Sequence, residues 1–302
     1  MSGPKDIPSG TESGGASGSH SAVPSDPDAV VRASSAGRDL PVAIAVGVAL
    51  AALALAALFI VKAAFVVFVL VAALLGLREL SSALATGPTR VPRVPVAGGG
   101  IAMILSAYFG GSDALLVATV LSGLGCFLWR LAGGASGYVR DVSAGLLATT
   151  YVPLLGSFVV LMLAADDGPA RVATFVLVTI ASDIGGLAAG VRLGRHAMAP
   201  TISPKKSWEG FAGSVAACTL VGWITVTYAL DGDWWVGLVL GVAAAVVGTL
   251  GDLAESMIKR DLGIKDMGNL LPGHGGVMDR LDSLLAVAPV AWLILDQLVS
   301  SS

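Results

Sequence analysis

Residues Trp234-Trp-Val-Gly-Leu-Val-Leu-Gly-Val-Ala-Ala-Ala-Val-Val-Gly-Thr-Leu250 carry no charge, and they run directly into Gly251-Asp-Leu-Ala-Glu-Ser-Met-Ile-Lys-Arg260. The first part approaches the ~20 apolar residues that cross a bilayer. The second reads as the same helix emerging from the bilayer. Asp252, Glu255, Ser256 and Lys259 recur at i, i+3, i+4 and i+7 and so share one face. Backbone polar groups in lipid must be satisfied inside the protein, and the run is too long for a barrel strand. A transmembrane helix is the reading that remains.

The rest of the chain repeats the pattern. Of 302 residues, 55% are hydrophobic and only 13% charged, with a mean hydropathy of +0.83, less charge than soluble domains carry. The fold expected is an all-α, polytopic transmembrane helical bundle of about nine spans. These are residues 41–60, 63–77, 94–109, 114–131, 142–164, 172–191, 211–229, 234–250 and 284–299. The second span has an alternative end at Leu80, and Gly98-Gly99-Gly100 in the third permits close helix packing, including that of a homodimer. Residues 1–39 are rich in Ser, Gly, Pro and Ala and are expected to be a disordered tail. Residues 40–302 form the transmembrane domain. The apolar stretch starting near Leu40 lies too far from Met1 for a signal peptide, so the first helix reads as an uncleaved anchor.

Charge sets the orientation. With nine spans, only Lys62 and Arg171 of the 18 Lys and Arg fall on the side away from the N-terminal tail. Cytoplasmic loops carry the excess of cations. The N-terminus is therefore expected in the cytoplasm and the C-terminus outside. A formal net charge of −3 gives no indication of a nucleic-acid partner. Cys126 and Cys218, isolated in apolar runs, form neither a disulfide framework nor a metal site.

Charges crowd between Gly251 and Asp282. Asp252, Glu255, Asp261, Asp266, Asp279 and Asp282 stand there with Lys259, Arg260, Lys265 and Arg280. Membrane anchoring accounts for the cations but poorly for six carboxylates, since acids contribute little to orientation. Asp279 and Asp282 share a face at the start of the last helix. The intervening Gly263, Gly268, Gly273, Gly275 and Gly276 let backbone N–H groups approach a phosphate. Carboxylates on two neighbouring helices beside cations suit a Mg²⁺–phosphate site. Ser203-Pro-Lys-Lys-Ser-Trp-Glu-Gly210 suits phosphates or lipid headgroups, and a simple cationic anchor explains it equally well. Asp183 lies within the sixth span, where a carboxylate is costly and usually functional. His274 suits phosphate contact, proton transfer or a turn cap alike. Neither a P-loop nor a Gly-x-Ser-x-Gly elbow is present.

Ser256 to Asp282 resembles the signature of the phosphatidate cytidylyltransferase (CDP-diacylglycerol synthase) family. Ser256, Lys259, Arg260, Lys265, Asp266, Pro272, His274, Gly275, Gly276, Asp279, Arg280 and Asp282 meet every fixed position. Ser203–Gly210 is similar to the family's Ser-Pro-Lys-Lys-Thr-x-Glu-Gly, with Ser207 in place of Thr. Asp183, Gly190 and Gly194 resemble its Asp-x-x-Ala-Tyr-x-x-Gly segment, although Gly186-Leu187 stand where Ala-Tyr is usual. The resemblance implies that CTP and phosphatidic acid give CDP-diacylglycerol and pyrophosphate, with Mg²⁺ as cofactor. It implies catalytic roles for Asp252, Asp279, Asp282, Lys259 and Arg280, and metal ligation by Asp252, Asp279 and Asp183. Ser203, Lys205, Lys206, Ser256, Arg260, Lys265, Asp266, His274, Gly275 and Gly276 are the implied substrate-binding residues. The expected setting is the plasma membrane, with lipid entering from the bilayer and CTP from the cytoplasm. Two other classes fit parts of the pattern: a CTP-dependent lipid or polyprenol kinase, and an ion-coupled transporter using Asp183.

Overall fold

The structure, a computed structural model, describes residues 40–268, 270 and 275–299. The tail expected to be disordered, residues 1–39, lies outside the described residues, and so does His274. Helices dominate, as the apolar runs require. In chain order they are α1 (Leu40–Ile60), α2 (Lys62–Leu84), α3 (Arg93–Leu131), α4 (Tyr138–Thr149), α5 (Leu155–Ala164), α6 (Gly168–Leu193), α7 (Trp208–Ala229), α8 (Trp234–Asp261) and α9 (Met278–Leu298). A π-helical turn at Thr150–Leu154, which contains Pro153, joins α4 to α5. Among the described residues, seven helical stretches are long and apolar enough to cross a membrane.

The element α3 is not one rod. Its 39 residues would extend ~58 Å at 1.5 Å per residue, about twice a hydrocarbon core of ~30 Å. Gly111 breaks it with φ 67° and ψ −159°, a combination essentially only glycine adopts. The two halves then pack on each other. A Cβ on Gly99 would lie 2.5 Å from Ser122 Oγ, and one on Gly125 would lie 3.4 Å from Pro95 Cβ. The sequence places a gap at residues 110–113 between two spans; the structure fills it with a reversal that needs no loop.

Small residues also decide how the C-terminal helices meet. A Cβ on Gly185 or Gly213 would lie 2.6 Å from the other's carbonyl oxygen, so α6 and α7 touch along their backbones. Gly222 against Gly237 brings α7 to α8 in the same way, and Gly251 meets Ala286 between α8 and α9. Such close approach is how helices associate where lipid offers no hydrophobic driving force. The buried core is apolar, with Phe175, Leu80, Met103, Met162, Leu240 and Leu295 fully enclosed. The outer surface is apolar too: Phe109, Leu116, Leu187 and Val191 are all exposed, as suits a lipid-facing bundle.

The two minority cations have local structural partners. Lys62 Nζ donates to the carbonyl oxygen of Ala165 at 2.6 Å. Arg171, 4% exposed, donates to Leu295 O at 2.8 Å and Val299 O at 3.0 Å and pairs with Asp167 at 2.6 Å. Cations thus satisfy carbonyls that helix ends leave open.

One departure from an all-α reading bears on function. Residues between α6 and α7 form an antiparallel pair, β1 (Ala197–Ala199) and β2 (Ser203–Ser207), with Ala197 opposite Ser207 and Ala199 opposite Ser203. At the far end of α8 the chain stops in a Schellman turn. Gly263 has φ +67°, and Ile264 N–H donates to Lys259 O at 2.9 Å.

Candidate active site

The cationic strand β2 is fixed before it presents anything. Ser207 Oγ accepts Gly210 N–H at 3.1 Å and caps α7. Glu209, in the first turn of α7, accepts the N–H groups of Arg195 and His196 at 3.1 and 3.3 Å. Its other oxygen meets His196 Nδ1 at 2.6 Å. The hairpin is thereby held at both feet, and Lys205 and Lys206 lie over the ends of α6, α7 and α8.

Beneath the hairpin is a cavity of about 290 Å³. Asp183 of α6, Lys205 and Lys206 of β2, Asp252 of α8 and Ser283 of α9 line it. Three features far apart in sequence therefore share one wall-to-wall space. Lys206 Nζ forms an ion pair with Asp252 Oδ2, and Ser256 Oγ donates to Asp252 at 3.4 Å. Asp183 feels Asp252, Asp282, Lys206 and Arg280 electrostatically. Of the expected substrate-binding residues, Ser203 sits at the start of β2, and Arg260 donates to the carbonyl of Ile202 at 3.5 Å. Lys265 and Asp266 are exposed and make no ion pair among the described residues.

A second cluster lies next to the first. Lys259 Nζ bridges Glu255 Oε2 and Asp279 Oδ1, at 3.0 Å each. Glu255 is fully buried; its Oε1 meets no donor among the described residues, and the Asp282 carboxyl stands beside it. Asp282 accepts Ser283 N–H at 2.7 Å and lies within electrostatic reach of Asp252. The acids thus form one continuous layer across the ends of α8 and α9.

Asp279 is employed differently from Asp252. Its carboxylate takes Lys259, Met267 N–H at 3.2 Å and Gly276 N–H at 3.0 Å. On sequence alone the Gly-rich stretch suits amides aimed at a phosphate. Among the described residues, those of Met267 and Gly276 go to Asp279 and that of Met278 goes to Glu79. Gly276 fits there because it has no side chain: a Cβ would fall 2.7 Å from Glu79 Oε2 and 2.8 Å from Asp279 Oδ2. Glu79 lies outside every motif of the sequence. Its signal was present, a carboxylate that follows Arg78 where the apolar run of α2 ends.

Among the described residues no three acidic, histidine or cysteine side chains converge tightly on one point. The donor chemistry still suits a hard cation, since Asp183, Asp252 and Asp282 offer only oxygen.

Lysines and carboxylates facing one cavity inside a bundle of apolar helices are the surroundings that an integral-membrane enzyme of charged substrates requires. Residues 41–298 match the cytidylyltransferase family, and the chain belongs to that family. Its relatives include the phosphatidate cytidylyltransferase of Mycobacterium bovis, 42% identical over 87% of this chain and 90% of the relative. That of Mycobacterium tuberculosis is also 42% identical, over 87% and 84%, and that of Mycobacterium leprae is 39% identical over 86% and 88%.

Proposed function

We propose that this chain makes CDP-diacylglycerol from CTP and phosphatidic acid. A phosphate oxygen of phosphatidic acid attacks the α-phosphorus of CTP in line. The bond from that phosphorus to the α,β-bridging oxygen breaks, and pyrophosphate leaves. Positioning and charge neutralisation supply most of the catalysis in such a transfer. The observation that carries this reading is the cavity where Lys205 and Lys206 meet Asp183 and Asp252.

Lys205, Lys206, Arg260 and Lys265 hold the phosphates, with Ser203, Ser256, Asp266, His274, Gly275 and Gly276 completing the substrate surface. Lys259 and Arg280 steady the charge of the layer formed by Asp279 and Asp282. Asp252 and Asp183 would hold Mg²⁺ from the cavity, with Asp282 in support and Asp279 joining by giving up part of its hold on Lys259; such an ion would screen the triphosphate and withdraw charge from its reacting phosphorus. Lys206 already pairs with Asp252, so an incoming phosphate exchanges one partner of that pair rather than meeting a bare carboxylate.

The setting we propose is the plasma membrane, with nine crossings, the N-terminus in the cytoplasm and the site at the cytoplasmic face. The folded-back α3 supports that number of crossings. The deciding experiment supplies purified protein with phosphatidic acid and CTP labelled at the α-phosphate. Label is expected in the lipid. Label reaching lipid only from the γ-phosphate would replace this reading with a lipid kinase. Nucleotide-independent ion flux in liposomes would replace it with a transporter.

A further inference from the structure

Glu79 belongs to none of the motifs above, yet it is built into their support. It sits in the last turns of α2, is 4% exposed, and accepts the N–H of Met278, the first residue of α9, at 2.9 Å. A carboxylate at a helix N-terminus satisfies an open amide and complements the helix dipole; here it comes from a helix about two hundred residues earlier. Its neighbours are backbone. A Cβ on Gly268 or Gly276 would collide with it. On the other side of Gly276 stands Asp279, which takes the amides of Gly276 and Met267 and holds Lys259. The chain at Gly276 is thus gripped between two carboxylates, one from the N-terminal half and one from the charged layer. One turn earlier on α2, Gly76 backs the same contact, since a Cβ there would lie 3.4 Å from Leu281 Cδ1 of α9.

We propose that Glu79 is a positioning residue for cytidylyl transfer, fixing the start of α9 so that Asp279 and Asp282 meet Lys259 and Glu255 in register. The proposal rests on the function given above. Glu79 touches no substrate; it acts through Met278 and Gly276. Oxygen acceptance at Met278, not charge alone, is the property required.

The test uses full-length protein with Glu79→Ala, Glu79→Gln and Glu79→Asp. Three readings are taken: kcat and KM for CTP, the melting temperature in detergent, and hydrogen exchange of residues 275–282. Glu79→Ala is expected to lower kcat at least about tenfold, since misplacement by about an ångström costs that much or more. It should also speed exchange at residues 275–282 while distant helices stay protected. Glu79→Gln, which keeps an acceptor oxygen, should restore most of both. If Glu79→Ala does not fold, Glu79→Asp carries the test: one methylene shorter, it should fold and still lose kcat. Wild-type kcat in the variant that folds, or a loss of kcat with no change in exchange at 275–282, overturns the proposal. An inactive wild type whose Glu79 variants still alter that exchange would instead count against the transfer reaction.

Discussion

At the residue scale, Asp252 and Asp279 have separate work. Asp252 faces the cavity and shares Lys206. Asp279 faces its own loop and shares Lys259. Asp252→Asn keeps the shape and removes the charge. Cytidylyl transfer is expected to fall by at least ~10²-fold, the scale of losing a key charge-stabilising group. The unfolding temperature should barely move, because a partly exposed pair contributes only ~0–1 kcal/mol. Asp279→Asn is expected to cost a similar ~10²-fold in rate with little change in detergent stability, since an amide oxygen can still accept from Met267 or Gly276. Near-normal turnover in either variant removes that residue from the site. Residue identities were well legible in the sequence here, because charge in an apolar chain is conspicuous. Their pairing was not. Nothing in the spacing says that the glycine amides face carboxylates rather than phosphate, or that Glu79 arrives from α2.

At the element scale, helices announced themselves through length and hydropathy, while the hairpin of β1 and β2 did not. Ser203-Pro-Lys-Lys-Ser207 shows no apolar alternation, and the strand is held by Glu209 and by Trp208 N–H donating to His196 O at 3.0 Å. Releasing that hold should blur the placement of both lysines. Glu209→Ala is expected to raise KM for CTP more than it lowers kcat, measured by initial rates across CTP concentration. The glycine seam between α6 and α7 is a second test. A Cβ on Gly213 would press on Ala189 and on the backbone of Gly185. Gly213→Val should destabilise by ~1–3 kcal/mol, the usual cost of overpacking, read as a lower melting temperature in detergent together with lost activity. The sequence showed many small residues but could not say which of them meet, since the crossing points depend on helices distant in the chain.

At the scale of the whole molecule, the four helices α6 to α9 bring the chemistry together, and α2 braces it from the N-terminal half through Glu79. If a divalent ion serves the reaction, EDTA should abolish label transfer into lipid and added Mg²⁺ should restore it, with the fold unaffected. Transfer that survives chelation would leave the lysines as the main charge-neutralising groups. The nine spans read from hydropathy correspond to stretches that are helical here. Gly110-Gly-Ser-Asp113 marked the break between the third and fourth of them, but not its form, a single glycine torsion in place of a loop. That joint governs parity. Because Gly111 sends the chain back on itself, Arg93 and Leu131 finish at the same leaflet, whichever leaflet that is. A rod in its place would hand every later segment, Lys206 and Asp252 included, to the opposite compartment, so one backbone torsion determines which pool of nucleotide the enzyme can draw upon.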